Sequence, residues 1–298
     1  AKLIREGKYE EALSVATAQE WVARLTAAGL PMTVLRNTEI ALPAPSVCSP
    51  KLVFPSIRLL STFDTRFPGY RLLIVPMQEN LKAKGLNLSF SGPEVVPPAE
   101  QYQPVQSGAF DVLFTVQPWH LNVTGVSFGL YAIDTDQTLW RQNGIFEYVD
   151  KEYQRTGMKL LGVIGGTKKG VGSYQAVLKQ PIDPNADRPL AGKKVRGNPI
   201  YRPLIEHWGG SMVVLPGGDI YSALQRGTID GAFWPVTGAV DFKWYEVSGY
   251  MIAPPFGYSL YFLLINQATF NKLTPAQQKA LEDEGRRLEI EGTIALND

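Results

Sequence analysis

The chain has 298 residues, 45% of them hydrophobic and 19% charged, with a formal net charge of +1. That length suits two domains of ordinary size with a substantial core, and so even a charge balance argues against nucleic acid or an anionic membrane surface as a partner. One cysteine, Cys48, and two histidines, His120 and His207, exclude an internal disulfide and leave a zinc site short of ligands.

Residues 9–28 carry apolar side chains at helical spacing and are stopped by Gly29 and Pro31. Residues 32–35 read as a strand, and the Pro- and Ser-rich stretch 40–55 as a linker in which Cys48 is an ordinary small apolar residue. A strand at 57–62, a loop at 63–69 and a helix to Lys84 ended by Gly85 open a second organisation. Further strands are expected at 86–90, 112–115, 158–163, 174–178, 194–196 and 259–265, with helices at 199–208, 220–226, 240–247 and 275–292. The last helix has Thr274 as N-cap, Pro275 in its first position and Gln277 or Gln278 near the third. Strands alternating with helices predict an α/β fold with open parallel or mixed sheets. No run of 18 apolar residues is present to span a membrane.

One stretch occurs twice. Tyr102-Gln-Pro-Val-Gln106-Ser-Gly108-Ala-Phe-Asp111 returns as Tyr221-Ser-Ala-Leu-Gln225-Arg-Gly227-Thr-Ile-Asp230, each copy after an apolar run and a Pro/Gly turn. The order is strand, loop, short helix, glycine stop, strand, with the glycine where a helix end favours a left-handed residue. Helix-glycine-strand joints also arise independently in α/β proteins, but a duplicated unit predicts two similar lobes facing each other across a cleft.

Signals for catalysis are weak. There is no GxSxG elbow and no Walker loop, and Lys168 and Lys169 interrupt the glycines of 162–172. Asp111 and Asp230 occupy equivalent joints, so their first explanation is architectural. Binding signals are stronger: Arg196 ends a short strand and Gly197-Asn198-Pro199 turns into a helix, which puts a guanidinium at the carboxyl end of a strand, where α/β lobes bind ligands.

Gly192-Lys-Lys-Val-Arg196, Gly209-Gly210, the run from Leu215-Pro216-Gly217-Gly218-Asp219 through Asp230-Gly231, and Lys243-Trp-Tyr-Glu-Val247 together resemble the solute-binding subunits of tripartite ATP-independent periplasmic (TRAP) transporters. The resemblance is ordered from about residue 157 to 290 and looser from 57 to 156. It implies a two-lobed periplasmic-binding-protein fold with open mixed sheets, crossing strands and a long connecting helix. It implies residues 52–155 with 240–265 as the first lobe, and 156–239 with 266–298 as the second lobe and connecting helix. Residues 1–51 would match the helix-and-strand tail at the family's carboxyl end.

By the same resemblance Arg196 grips the carboxylate of a small organic acid. Trp234 stands where many members carry an amide, pointing to a ligand less hydroxylated than a sugar acid; the Leu-Pro-Gly-Gly turn resembles the branch that takes small monocarboxylates. Phe233, Asn198, Tyr174 and Gln175 join Arg196 and Trp234 as candidate ligand contacts of the second lobe, and Phe63, Asp64, Gln117, Trp119 and His120 of the first. No cofactor is expected, although a metal ion bridging the ligand carboxylate is compatible with the family. The implied partners are the membrane subunits of a TRAP transporter, and the implied compartment is the periplasm, with a signal peptide already removed. Two rivals stay open: an α/β decarboxylase or hydrolase using Asp64, His120 or Asp230 as acid or base, and a ligand-sensing module of a receptor.

Overall fold

The longest apolar runs of the chain become the central strands of two sheets. The computed structural model describes residues 56–133, 137–165 and 173–297; the helix, strand and linker expected before residue 56, together with Cys48, lie outside them. The described strands are β1 (Ser56–Ser61), β2 (Asn87–Ser91), β3 (Val112–Val116), β4 (Met158–Ile164), β5 (Ser173–Leu178), β6 (Lys194–Arg196), β7 (Ser211–Val213), β8 (Gly231–Pro235), β9 (Tyr250–Tyr258) and β10 (Tyr261–Asn266). Every residue of β3, β8 and β10 is buried, as a strand covered on both faces requires.

The sheets have the orders β2-β1-β3-β10-β4 and β7-β6-β8-β5-β9. Position by position they are the same construction: three parallel strands, then an antiparallel fourth, then a fifth antiparallel to that one. The first sheet takes β10 from outside its own consecutive run of strands, whereas the second is built from β5 to β9 in one stretch. β4 pairs in the first sheet and β9 in the second, which corrects the expected lobe boundaries: residues 158–164 belong with the first lobe and 250–258 with the second. The physical reason is hydrogen bonding across β10 and β5, which register with β4 and β9 and cannot be anticipated from local pattern.

The repeated motif is the corner of each unit. Gly108 (φ +83°) and Gly227 (φ +73°) both take the left-handed conformation that ends the helices Tyr102–Gln106 and Ile220–Arg226. Asp111 Oδ2 accepts the backbone N–H of Arg58 at 2.8 Å while Asp111 donates its own N–H to the Arg58 carbonyl at 2.9 Å. Asp230 does the same with Lys194, at 2.7 Å in each direction. The carbonyls of the two aspartates also match, accepting from Asn266 N at 2.8 Å and Lys179 N at 2.9 Å. Burial works to raise the Asp111 pKa, but bonds from the side chain and backbone of Arg58 hold it below the usual carboxylate range.

The helix Pro275–Arg287 starts as its sequence demands. Thr274 Oγ1 accepts from Gln277 N at 3.3 Å and Gln277 Oε1 accepts from Thr274 N at 3.0 Å, a closed capping box. It lies against β4 and the helix Val75–Ala83, so it rests on the first sheet and not on the second, to which the expected boundary assigned it. The approach is close because two glycines face each other: a Cβ on Gly285 would sit 2.1 Å from the Leu161 carbonyl oxygen, and one on Gly162 2.9 Å from that of Gly285. Elements not anticipated include β9 and the helices Ile145–Gln154 and Gln267–Lys272, and the helix expected at 240–247 forms earlier, as Val236–Asp241 followed by a turn at Trp244–Glu246.

Only Ser259 and Leu260 separate β9 of one sheet from β10 of the other. The other crossing leaves β4 at Gly165, where a Cβ would lie 3.0 Å from the Ser259 carbonyl oxygen, so the two passages touch.

Candidate functional site

The carboxyl ends of β1, β3, β6 and β8 converge on one cavity, where α/β sheets present their ligands. From the first sheet come Phe63 and Phe67 in the loop after β1, Val116 at the end of β3, Trp119 just beyond it, and Tyr261 at the start of β10. From the second come Tyr174 of β5, Arg196 at the end of β6, Asn198, Tyr201, and Trp234 with Pro235 at the end of β8. Ser259, in the crossing, completes the lining.

Arg196 dominates the electrostatics. It is 1% exposed, with Nε donating to the Leu215 carbonyl at 2.9 Å and Nη1 to the Phe233 carbonyl at 3.2 Å. Its Cζ lies 4.4 Å from the centre of the Trp234 ring, a cation-π contact. Among the described residues no carboxylate comes within ion-pair distance of it. Burial lowers its pKa to about 10, partly offset by the neighbouring Tyr201 and Tyr174, which leaves it cationic at neutral pH. A buried cation with no acid beside it is costly, and two backbone carbonyls use only part of its five-donor fork.

The remaining polar groups are few. Asn198 Oδ1 accepts from Ile200 N at 3.2 Å, capping the short helix Pro199–Tyr201 and leaving the amide NH2 as a donor beside Arg196. Burial raises the Tyr174 pKa above that of free tyrosine, offset in part by the nearby Ser259 and Tyr201 hydroxyls. The rest is aromatic surface. Phe63 stacks on Phe67 at 4.1 Å and meets the edge of Tyr261 at 5.6 Å. It also reaches across to Trp234 at 6.2 Å in an edge contact.

Six of the eleven expected contact residues line this cavity: Arg196, Trp234, Asn198, Tyr174, Phe63 and Trp119. Phe233 does not; its ring is fully buried against Tyr201 and Trp208 in the core behind the sheet, and only its carbonyl reaches Arg196. Gln175 is turned away from Tyr174 by strand alternation. Asp64 stands outside the lining, paired with Arg66 at 2.7 Å. Gln117 is fully buried outside the lining. His120 lies deeper still in the first lobe, with Nε2 2.8 Å from the Tyr153 hydroxyl and its ring stacked on Tyr102. Asp64, His120 and Asp230 thus face no common space, and the acid-base set of the enzyme reading is not assembled. Among the described residues no group of three or more His, Cys, Asp or Glu side chains gathers as a metal site.

Sequence reasoning missed Phe67, Val116, Tyr201, Pro235, Ser259 and Tyr261. Ser259 and Tyr261 had a signal, the strand expected at 259–265, but placing Ser259 inside that strand concealed a crossing between sheets.

The profile of DctP, bacterial extracellular solute-binding protein, family 7, matches residues 90–293. The monocarboxylate 2-oxoacid-binding periplasmic protein all3028 of Nostoc sp. is 30% identical over 153 residues, covering 49% of this chain and 40% of that protein. The 2,3-diketo-L-gulonate-binding periplasmic protein YiaO of Escherichia coli is 28% identical over 127 residues, covering 42% and 37%. The matched part spans about half the length of the curated relatives or less. Among solved structures, a TRAP periplasmic solute-binding protein of Chromohalobacter salexigens superposes with a TM-score of 0.70 at 19% identity, covering 82% of this chain and 78% of that one.

Proposed function

The chain belongs to the bacterial extracellular solute-binding proteins of family 7, and from that premise we propose that it captures a small organic acid between its two sheets and delivers it to the membrane subunits of a TRAP transporter. The observation that carries the proposal is Arg196, a buried cation without an acidic partner among the described residues, opening on a cavity otherwise walled by aromatic rings. A ligand carboxylate supplies the missing negative charge and takes the free N–H groups of the guanidinium; Asn198 adds an amide donor beside it. Trp234, Tyr174, Phe63 and Trp119 cover the remainder of the ligand. The two curated relatives are named for binding carbonyl-bearing acids in the periplasm, which supports both the ligand type and the compartment.

The chemistry required is binding and release, with no bond made or broken. Charge-assisted hydrogen bonds contribute about 1.5–3 kcal/mol each, so two of them fall short of the roughly 8 kcal/mol of micromolar affinity, and burial of the ligand body must supply the rest. Calorimetric titration with 2-oxo, 2-hydroxy and aromatic acids tests this, run beside Arg196→Ala. Binding that disappears in the variant is the expected result; a parent that binds no carboxylate, or a variant that binds as well as the parent, refutes it.

A further inference from the structure

The polar groups of the cavity lie on one side of it. Arg196 and Asn198 both project from the second sheet, while the wall facing them is Phe63, Phe67, Val116, Trp119 and Tyr261. No Lys, Arg, Asp, Glu, Asn or Gln lines that wall. Its one phenol, Tyr261, lies near the Ser259 hydroxyl, as does Tyr174. We propose that the ligand is a monocarboxylate with a single flat aromatic ring as its body, whose only other polar substituent sits on the carbon next to the carboxylate. The proposal rests on carboxylate capture by Arg196 and says what that carboxylate is attached to.

Three properties of the wall lead there. First, it is made of ring faces and edges already in mutual contact at 4.1 to 6.2 Å, Phe63 with Phe67, Tyr261 and Trp234, the spacing at which another ring joins an aromatic cluster. Second, it cannot answer hydroxyl groups. A sugar acid would bury several hydroxyls against carbon, and each unmet one costs roughly 5- to 100-fold in affinity. Third, it holds no second cation, so the far carboxylate of a diacid would be stripped of water with nothing to pair with. A 2-oxo or 2-hydroxy oxygen is a further polar atom the site can serve, because the Asn198 amide stands on the same side of the cavity as Arg196.

The test uses the whole chain and its own tryptophans, since Trp119 and Trp234 line the cavity and report occupancy by fluorescence. Probes are phenylglyoxylate and mandelate for the proposed class, pyruvate for the bare headgroup, glucuronate for the polyhydroxylated class and succinate for diacids. We expect the aryl acids to bind at least tenfold tighter than pyruvate and a hundredfold tighter than glucuronate or succinate. Phe63→Leu and Trp119→Leu should weaken the aryl acids more than pyruvate and so shrink the aryl-to-pyruvate ratio, with a thermal melt of each variant showing that it is folded; an unchanged ratio in both folded variants overturns the aromatic assignment. Glucuronate, succinate or pyruvate binding as tightly as the aryl acids, with dependence on Arg196, overturns the aromatic assignment and leaves carboxylate capture standing. Failure of every carboxylate to bind overturns both.

Discussion

Arg196 and Trp234 end adjacent strands of the second sheet, and the guanidinium carbon of one lies 4.4 Å from the ring centre of the other. The indole face compensates part of the charge that no acid neutralises, and its edge reaches Phe63 of the opposite lobe. Trp234→Leu should therefore weaken carboxylate binding through a loosened arginine as well as lost contact, by about 1–2 kcal/mol or roughly 5- to 30-fold. Arg196→Lys, which keeps a charge but loses the planar fork, should cost more than Trp234→Leu. Isothermal titration of both variants with one ligand gives the order; a lysine variant at parental affinity would contradict it.

The two motif aspartates should respond alike to mutation. Asp111→Ala leaves the Arg58 N–H without its acceptor and Asp230→Ala does the same to Lys194, each a loss of about 1–3 kcal/mol in unfolding free energy. Urea denaturation measures it. For Asp111 the sign of the pH effect follows from a lowered folded pKa. Its contribution is complete above the unfolded carboxylate value near 3.9 and is lost as pH falls through the folded one. Asp111→Asn should flatten the stability profile in that acid range only.

His120 sets a second pH limit. Burial lowers its pKa to about 3, against about 6.5 unfolded. The folded protein holds the ring neutral while the unfolded chain takes up a proton, so stability is unaffected above pH 6.5 and declines by about 1.4 kcal/mol per unit from there towards pH 3. His120→Gln should remove this slope between pH 6 and 4 in thermal melts. A slope unchanged by the substitution would mean that other groups cause it.

Outside the cavity lining, Arg66 of the first lobe donates from Nη1 to the Gly218 carbonyl of the second at 3.3 Å, while Asp64 holds its other nitrogens. The contact is exposed, so its contribution to folding is small, but it joins the two sides directly. Arg66→Ala should raise the ligand dissociation rate by a few-fold and leave the melting temperature within about 2 °C. Stopped-flow release followed by tryptophan fluorescence, with a melt of the same variant, separates the two effects.

The facing glycines beneath the long helix make a sharper stability prediction. A Cβ at position 285 would lie 2.1 Å from the Leu161 carbonyl oxygen, which is backbone and cannot swing aside. Gly285→Ala should force the helix away from β4, costing about 1–3 kcal/mol as overpacking does. Exposed Lys279→Ala on the same helix is the control that should change little.

What could be read in the sequence was what local rules decide. The glycine stop and aspartate of each motif, the Thr274 capping box and the burial of β3 and β10 follow from spacing and residue chemistry alone. Arg196 was singled out as a strand-end arginine and Trp234 through the resemblance, and both line the cavity. β9 was not, since Pro254 and Pro255 argue against a strand, and the chain tolerates them because β9 is the edge of its sheet. The helix Ile145–Gln154 begins at Gly144 with no side-chain cap to announce it. The return of β10 to the first sheet, where it pairs with β3 and β4, depends on partners distant in sequence, as does the burial of His120.

The crossing at Ser259 and Leu260 places the cavity at a fulcrum. Ser259 and Tyr261, which link the sheets, also line the space the ligand fills, whereas Arg66 and Gly218 meet out at the rim. A small rotation about the crossing barely alters the cavity walls nearest to it and sweeps the rim through a much longer arc. Any such rotation would therefore register at the rim far more than in the walls of the cavity.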